Sequence, residues 1–165
     1  MISNVLRSPI ARLLLLGTFA LVVGAGSLSR SADARAGRRA ADDARASATL
    51  TVRSTRYGRI LVDGRGRALY AFTRDPQGGR SQCYGDCASA WPVYFAKAGL
   101  TAGSGVKQSL IGTTRRRDGR RQVTYNGRPL YYYMGDKSPG QVLCQNVAEF
   151  GGTWLVVRPS GRLVR

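Results

Sequence analysis

Three cysteines are the residues with the most evident chemistry in this chain. Cys83 and Cys87 are separated by three residues, and Cys144 lies far downstream. Cysteines that reach an oxidising compartment form disulfides. Thiol-disulfide exchangers typically place two residues between their cysteines at the start of a helix, whereas this pair has three and lies in β-rich sequence. Redox catalysis is therefore the weaker interpretation, and the spacing leaves two pairings open, Cys83 with Cys87 or Cys83 with Cys144.

Asp75 and Asp136 are the other candidates for chemistry, because each ends a copy of one sequence pattern. Gly66–Asp75 and Gly127–Asp136 both read Gly-Arg-x-Leu-Tyr-x-aromatic-x-x-Asp. Two carboxylates at equivalent places can act as an acid and base pair or hold a hard cation. A carboxylate just after a strand more commonly accepts backbone N–H bonds from the following loop. We expect this loop-structuring role for both residues.

Several kinds of active site are excluded by what the chain lacks. It contains no histidine, which removes Ser-His and Cys-His nucleophilic sites and histidine metal sites. No glycine-rich phosphate loop opens a helix, so a nucleotide cofactor has no support. Three cysteines are one ligand short of a zinc site. The sequence thus predicts no catalytic residues, no metal and no cofactor, and a protein that is not an enzyme.

The repeated pattern indicates an internal duplication. Its two copies are offset by 61 residues, and the same offset carries Cys83 onto Cys144. Trp91 and Trp154 lie two residues off that register. A fixed offset of this kind is typical of repeated structural units. We therefore predict two repeats, at about residues 58–95 and 119–158.

The aromatic residues of the two copies alternate with other residues, so they share one face of a strand. Because duplicated positions usually preserve packing, we interpret them as core residues, with Trp91 and Trp154 anchoring loops. A platform for carbohydrate or aromatic ligands is the alternative. The motif residues assigned to packing or binding are Tyr70, Phe72, Asp75, Tyr131, Tyr133 and Asp136.

From residue 49 onward the chain consists of short β-rich runs separated by Gly, Pro and Asn, without a long run at helical period. It therefore predicts one all-β domain over residues 49–165, an antiparallel two-repeat β-meander forming a small sandwich or barrel-like sheet with an irregular cysteine-containing loop. Asn126-Gly127 and Pro159–Gly161 predict tight turns. The predicted strands are 49–54, 58–63, 67–73, 109–115, 121–125, 128–134, 153–158 and 161–164.

The N-terminal segment predicts export. An apolar run at Leu13–Val23 follows Arg7 and Arg12, and its eleven residues match a signal-peptide core better than a membrane span. The small residues predict cleavage after Ala25, or as late as Ala36. The three cysteines all lie far downstream of the run, so we expect an extracytoplasmic protein, secreted or associated with the envelope, without a lipid anchor. Residues 26–48 predict a disordered basic, Ala-rich linker.

The net charge of the chain is +17. An exported domain this basic is attracted to anionic cell-wall polymers or to a membrane surface, which are the partners we expect. No nucleic-acid recognition module is visible, so specific nucleic-acid binding is not predicted.

These motifs together resemble a bacterial exported family, described as secreted repeats or predicted lipoproteins of unknown function. The resemblance covers about residues 50–160 and implies an all-β fold and export, without an established activity. The chain departs from the family in having no lipid-attachment cysteine and in carrying the third cysteine, Cys144. The residues that carry the resemblance are Gly58–Asp63, Tyr70, Phe72, Asp75, Cys83, Cys87, Trp91-Pro92, Gln122–Gly127 and Pro129–Tyr131.

The resemblance favours the local disulfide, because Cys83 and Cys87 are the cysteines that match the family pattern. The duplication agrees, since Ala148 occupies the position equivalent to Cys87 in the second copy. We therefore predict a bridge between Cys83 and Cys87, with Cys144 unpaired and mostly buried. A monomer follows, with a dimer linked through Cys144 as the alternative.

The function predicted from the sequence is a non-enzymatic exported β domain that binds or organises anionic envelope polymers. The alternative is an extracytoplasmic redox or small-ligand-binding protein that uses the cysteines and the tyrosine cluster. In that case tyrosine hydroxyls and sulfur would converge on one cleft.

Overall fold

The computed structural model describes residues 32–40, 49–97 and 99–165. Residues 32–40 form helix α1 within the segment expected to be disordered, and every residue of this helix is exposed. Ala and Arg make up most of it and are strong helix formers, so local propensity accounts for the helix. No helix in these ranges is long and apolar enough to cross a membrane. The predicted signal peptide lies outside the described residues, and the linker boundaries stay predictions.

Eight short strands form the domain, all paired antiparallel in three small sheets, β1-β2, β3-β8-β7 and β4-β5-β6. The all-β prediction is confirmed, and the described strands do not close into a barrel. The strands are β1 Leu50–Thr55, β2 Gly58–Asp63, β3 Tyr70–Phe72, β4 Ile111–Arg115, β5 Arg121–Tyr125, β6 Arg128–Pro129, β7 Val147–Glu149 and β8 Gly152–Val156. Helix α2 spans Asp86–Ala90, and a 3₁₀ turn spans Gln108–Leu110.

The two repeats are interleaved. Each begins with a hairpin, β1-β2 or β4-β5, and continues into its Tyr-containing motif. Tyr70 of the first motif pairs with Val156 at the end of the second repeat, and Tyr131 of the second motif pairs with Val93 at the end of the first. The two motifs also pair with each other at Tyr70 and Tyr131. A pseudo-twofold axis therefore passes between these two tyrosines.

The central strands are buried on both faces. Tyr70 and Phe72 belong to one core cluster, whereas Leu69 and Ala71 belong to a second cluster. All four residues are at most 1% exposed. The alternation of side chains along a strand thus places one packed layer on each face of β3.

The structure contains one hairpin, β7-β8, that the sequence does not predict. β7 and β8 are joined by Phe150 and Gly151, with φ of 54° and 76°. Positive φ at both positions defines a tight hairpin turn that normally carries Asn-Gly or Asp-Gly, and Phe-Gly gives no such signal. The predicted strand 161–164 is reduced to one bridge between Val157 and Leu163.

Candidate functional site

The tyrosines and aspartates of the two motifs form crossed pairs at the centre of the domain. The Tyr70 hydroxyl donates to Asp136 Oδ2 at 2.7 Å, and the Tyr131 hydroxyl donates to Asp75 Oδ2 at 2.5 Å. Each motif therefore supplies the tyrosine that binds the carboxylate of the other. Hydrogen bonds to a charged acceptor are the stronger kind, so these pairs tie the two repeats together.

Each aspartate also organises the loop that follows it. Asp75 Oδ1 accepts the backbone N–H of Gln82 at 2.7 Å, and Asp136 Oδ1 accepts that of Leu143 at 3.0 Å. Both bonds reach seven residues along the chain, as the duplication requires. The two carboxylates are 3% and 2% exposed, and neither lines a cavity found in the described residues. A hydrolase that uses them across a common cleft has no support in this geometry.

Burial sets the protonation behaviour of this centre. It raises the pKa of Asp75 and Asp136, although the hydrogen bonds from the tyrosines oppose the rise. Burial likewise raises the pKa of Tyr70 and Tyr131, so both phenols stay protonated and act as donors. Since no substrate can reach these groups, their chemistry is structural.

The two tryptophans meet on the pseudo-twofold axis. Their rings stack at 4.0 Å between centroids and 2° between planes. Tyr70 meets Trp91 edge-on at 5.2 Å, and Tyr131 meets Trp154 in the same way at 5.1 Å. Trp91 and Trp154 are thus structural equivalents, although the sequence offset between them is two residues longer than that of the motifs.

The remaining motif aromatics complete this stack. Phe72 stacks on Trp154 at 4.2 Å, and Tyr133 packs against Trp91 at 4.8 Å. Tyr133 is half-buried, whereas the other three residues are buried. Because the rings cover one another, they form core packing and leave no open aromatic platform for a ligand.

The predicted disulfide is present. Cys83 and Cys87 are bridged, with their Cα atoms 5.3 Å apart. The Cys87 carbonyl accepts the backbone N–H of Trp91 at 2.8 Å, and Trp91 Nε1 donates to Glu149 Oε2 at 2.9 Å. The bridge therefore holds α2 in place and, through it, the tryptophan in the core. Both cysteines are buried, so the bridge is not placed for exchange with other thiols.

Cys144 is free, as predicted, but it is half-buried and not mostly buried. It packs on the edge of the aromatic core, where hydrogen bonding with Cys144 raises the pKa of Tyr133. The described part of the second loop has no helix equivalent to α2, which in the first loop carries the bridged Cys87.

Arg116 is a buried residue that the sequence does not single out, and it is only 5% exposed. Its side chain connects the two repeats through hydrogen bonds. Its guanidinium donates to Ser81 Oγ at 2.7 Å, Gln122 Oε1 at 2.8 Å and the Cys83 carbonyl at 2.7 Å. A buried charge needs such partners to offset its desolvation. In an arginine-rich chain, nothing in the sequence distinguishes this residue from its exposed neighbours.

An arginine-lined cavity, which we call the arginine pocket, is the best candidate for a binding site. Its volume is about 680 Å³, within the range of small-ligand sites. The ion pair found within the described residues is that of Arg120 with Asp118, so none of the carboxylates in these residues pairs with an arginine of this pocket. Its lining residues are Arg128, Arg158, Ser160, Arg162, Leu163 and Arg165.

Two turns bring these arginines together. Arg158 donates its N–H to the Arg162 carbonyl at 2.8 Å across the predicted Pro159–Gly161 turn. Gly161 has φ of 82°, and a Cβ there would lie 2.6 Å from the Asn126 Cβ. Only glycine permits this approach of the turn to Asn126-Gly127, which leads directly into Arg128.

Arg128 has unused hydrogen-bonding capacity. Its Nη2 donates to Gln77 Oε1 at 3.2 Å, whereas its Nε is buried without a hydrogen-bond partner. A ligand in the pocket would not reach this nitrogen, but the arginines that line the cavity present other N–H donors suited to phosphate or carboxylate oxygens. The pocket is thus chemically suited to anions.

Fold and site together define a class, a small disulfide-bonded β domain built from two interleaved repeats. The model of a family described as "secreted repeat of unknown function" (Lipoprotein_15) matches residues 51–94 and 112–158. The chain belongs to this family, which confirms the resemblance seen in the sequence, and the description places it outside the cell. No curated protein and no solved structure gives a match.

Proposed function

We propose that this protein is a non-enzymatic module that binds anionic polymers of the cell envelope through the arginine pocket. The observation that carries the proposal is the convergence of Arg128, Arg158, Arg162 and Arg165 on one cavity, with no ion pair to any carboxylate that the structure describes. Arginine presents a planar fork of donors that fits phosphate and carboxylate oxygens. A repeating anionic polymer would place one such group in the pocket.

The rest of the chain supports association with the same partner. The net charge of +17 attracts polyanions from a distance, and this attraction weakens as salt screens it. The arginine pocket then adds a defined contact to the diffuse attraction. Binding should consequently have a salt-sensitive part shared by the whole surface and a part that depends on the pocket residues.

Retention of the exported protein on purified cell wall, measured across a salt series, tests the proposal. We expect retention at low salt that declines as salt rises. The double variant Arg158→Gln/Arg162→Gln should weaken binding about threefold to tenfold, because each exposed ion pair contributes up to about 1 kcal/mol. Arg80→Gln/Arg115→Gln is the matched control, since it removes equal charge at exposed arginines that line none of the cavities.

Two results would contradict the proposal. Absence of retention at low salt would rule out binding to the wall polymers. Equal loss in both double variants would show that net charge, and not the arginine pocket, determines binding.

A further inference from the structure

A second cavity differs from the arginine pocket in its chemistry. It is a groove of about 660 Å³ whose half-buried wall is apolar and whose exposed residues are cationic. We call it the basic-rimmed groove. Its lining residues are Phe95, Ala96, Lys97, Leu100, Thr113, Arg120 and Arg121.

This groove uses chain positions equivalent to those of the arginine pocket. The offset of 63 residues that relates Trp91 to Trp154 also relates Val93 to Val156. Val93 pairs with Tyr131, and Val156 pairs in the equivalent way with Tyr70. The same offset relates three lining residues of the groove to three of the arginine pocket, Phe95 to Arg158, Lys97 to Ser160 and Leu100 to Leu163. The end of each repeat thus lines a cavity, and the cavity of the first repeat has the more apolar wall. Different ligands are expected for the two sites.

The wall of the groove favours an aliphatic ligand. The Arg120 guanidinium lies 3.8 Å from the centroid of the Phe95 ring and covers its face. With that face occupied, a ligand's aromatic ring cannot stack on it. Ala96 and Leu100 supply the remaining apolar surface, which suits a flexible methylene chain.

The rim of the groove favours an anionic head group. Arg120 is already paired with Asp118 at 2.8 Å, and Arg121 Nε donates to Thr113 Oγ1 at 2.9 Å. Lys97 is exposed and makes no ion pair within the described residues. A carboxylate at the end of an aliphatic chain would therefore find its least engaged cationic partner at Lys97.

We propose that the basic-rimmed groove binds a fatty acid, with its chain along Phe95, Ala96 and Leu100 and its carboxylate at Lys97. This site is separate from the arginine pocket and does not depend on the function proposed for that pocket. The chain buries apolar surface, and the lysine selects an anion over a neutral or cationic head group.

Calorimetric titration of the exported protein with octanoate, decanoate and dodecanoate below their micelle concentrations tests the proposal. Because each buried methylene contributes about 0.8 kcal/mol, every step of two methylenes should tighten Kd roughly tenfold until the groove is filled. Dodecanol should bind about twofold to fivefold more weakly than dodecanoate, since it lacks the charge.

Matched variants locate the binding. Leu100→Ser should weaken dodecanoate about tenfold, whereas Leu163→Ser, at the equivalent position of the arginine pocket, should leave it unchanged. Lys97→Glu changes an exposed residue and should weaken dodecanoate without altering the circular dichroism spectrum. This second variant keeps the test decisive if Leu100→Ser fails to fold.

Three outcomes would overturn the inference. Affinity independent of chain length would show that charge alone binds the acid. Equal weakening by Leu100→Ser and Leu163→Ser would remove the groove as the site. A dimer in sedimentation that Leu100→Ser dissociates would show that a second copy of the chain occupies the groove.

Discussion

Tyr70 and Tyr131 exchange two backbone hydrogen bonds, with the N–H of each 2.9 Å from the carbonyl oxygen of the other. From this point their side chains diverge, each toward the aspartate of the opposite repeat. The pairing of two equivalent residues on a symmetry axis is the geometry of a two-fold dimer interface, here within one chain.

Removing either tyrosine hydroxyl should destabilise the fold. Tyr70→Phe or Tyr131→Phe leaves a buried carboxylate oxygen without its donor, at a cost of about 1–3 kcal/mol. The measurement is the free energy of unfolding in urea. Tyr57→Phe is the control, because this tyrosine is half-buried and its backbone N–H, which the substitution leaves in place, donates to Thr55 Oγ1. Equal stability of all three variants would show that the crossed pairs contribute nothing.

The raised pKa of Asp75 predicts an unusual pH dependence of stability. Since the folded pKa lies above the unfolded value of about 3.9, this group's contribution is fully present below that value and is lost as pH rises through the folded pKa. The unfolding free energy of the wild type minus that of Asp75→Asn should therefore fall as pH rises above about 4. A difference that does not change with pH would contradict the assignment.

Loss of the disulfide should loosen α2 before it unfolds the domain. The bridge closes a short loop, so Cys83→Ser/Cys87→Ser should cost less than the roughly 3 kcal/mol of a 15-residue loop, plus any loss of core packing around Trp91. Thermal unfolding with tryptophan fluorescence measures this. Cys144→Ser serves as the control and should change stability little. Thiol titration of the native protein should find one reactive group, Cys144, and finding three would contradict the bridge.

Gly161→Ala should destabilise the protein more than Gly119→Ala. Both glycines have φ of 82°, but a Cβ at Gly161 would lie 2.6 Å from Asn126, whereas one at Gly119 would meet nothing within 4 Å. The strain of positive φ is common to both variants, so their difference in unfolding free energy isolates the contact between the two turns. Gly161→Ala should also weaken binding at the arginine pocket. Equal effects on stability would show that the turns are not held by this contact.

The sequence predicted most of the strands of this fold, but not β7 or the way in which the two repeats cross. Alternation of side chains placed Tyr70 and Phe72 on one face, and the duplication made Asp75 and Asp136 equivalent. Equivalence alone is compatible with each tyrosine binding the aspartate of its own repeat or of the other. The choice depends on long-range pairing between Tyr70 and Val156, which local pattern does not encode.

Sequence patterns do not predict the arginine pocket either. Arg158 and Arg162 flank a turn that the sequence predicted, but their proximity to Arg128 depends on the contact between Gly161 and Asn126. Because arginines are frequent throughout the chain, those of the pocket do not stand out. Only the packing of two turns identifies them.

The interleaving of the repeats also determines when the chain can fold during synthesis and export. β3 precedes its partner β8 by most of the domain, so β3 is synthesised well before that partner. Until then the aromatic face of the first repeat has nothing to pack against, and its strand edges stay open. A chain of this topology completes its core only after β8 has been synthesised and can pair with β3.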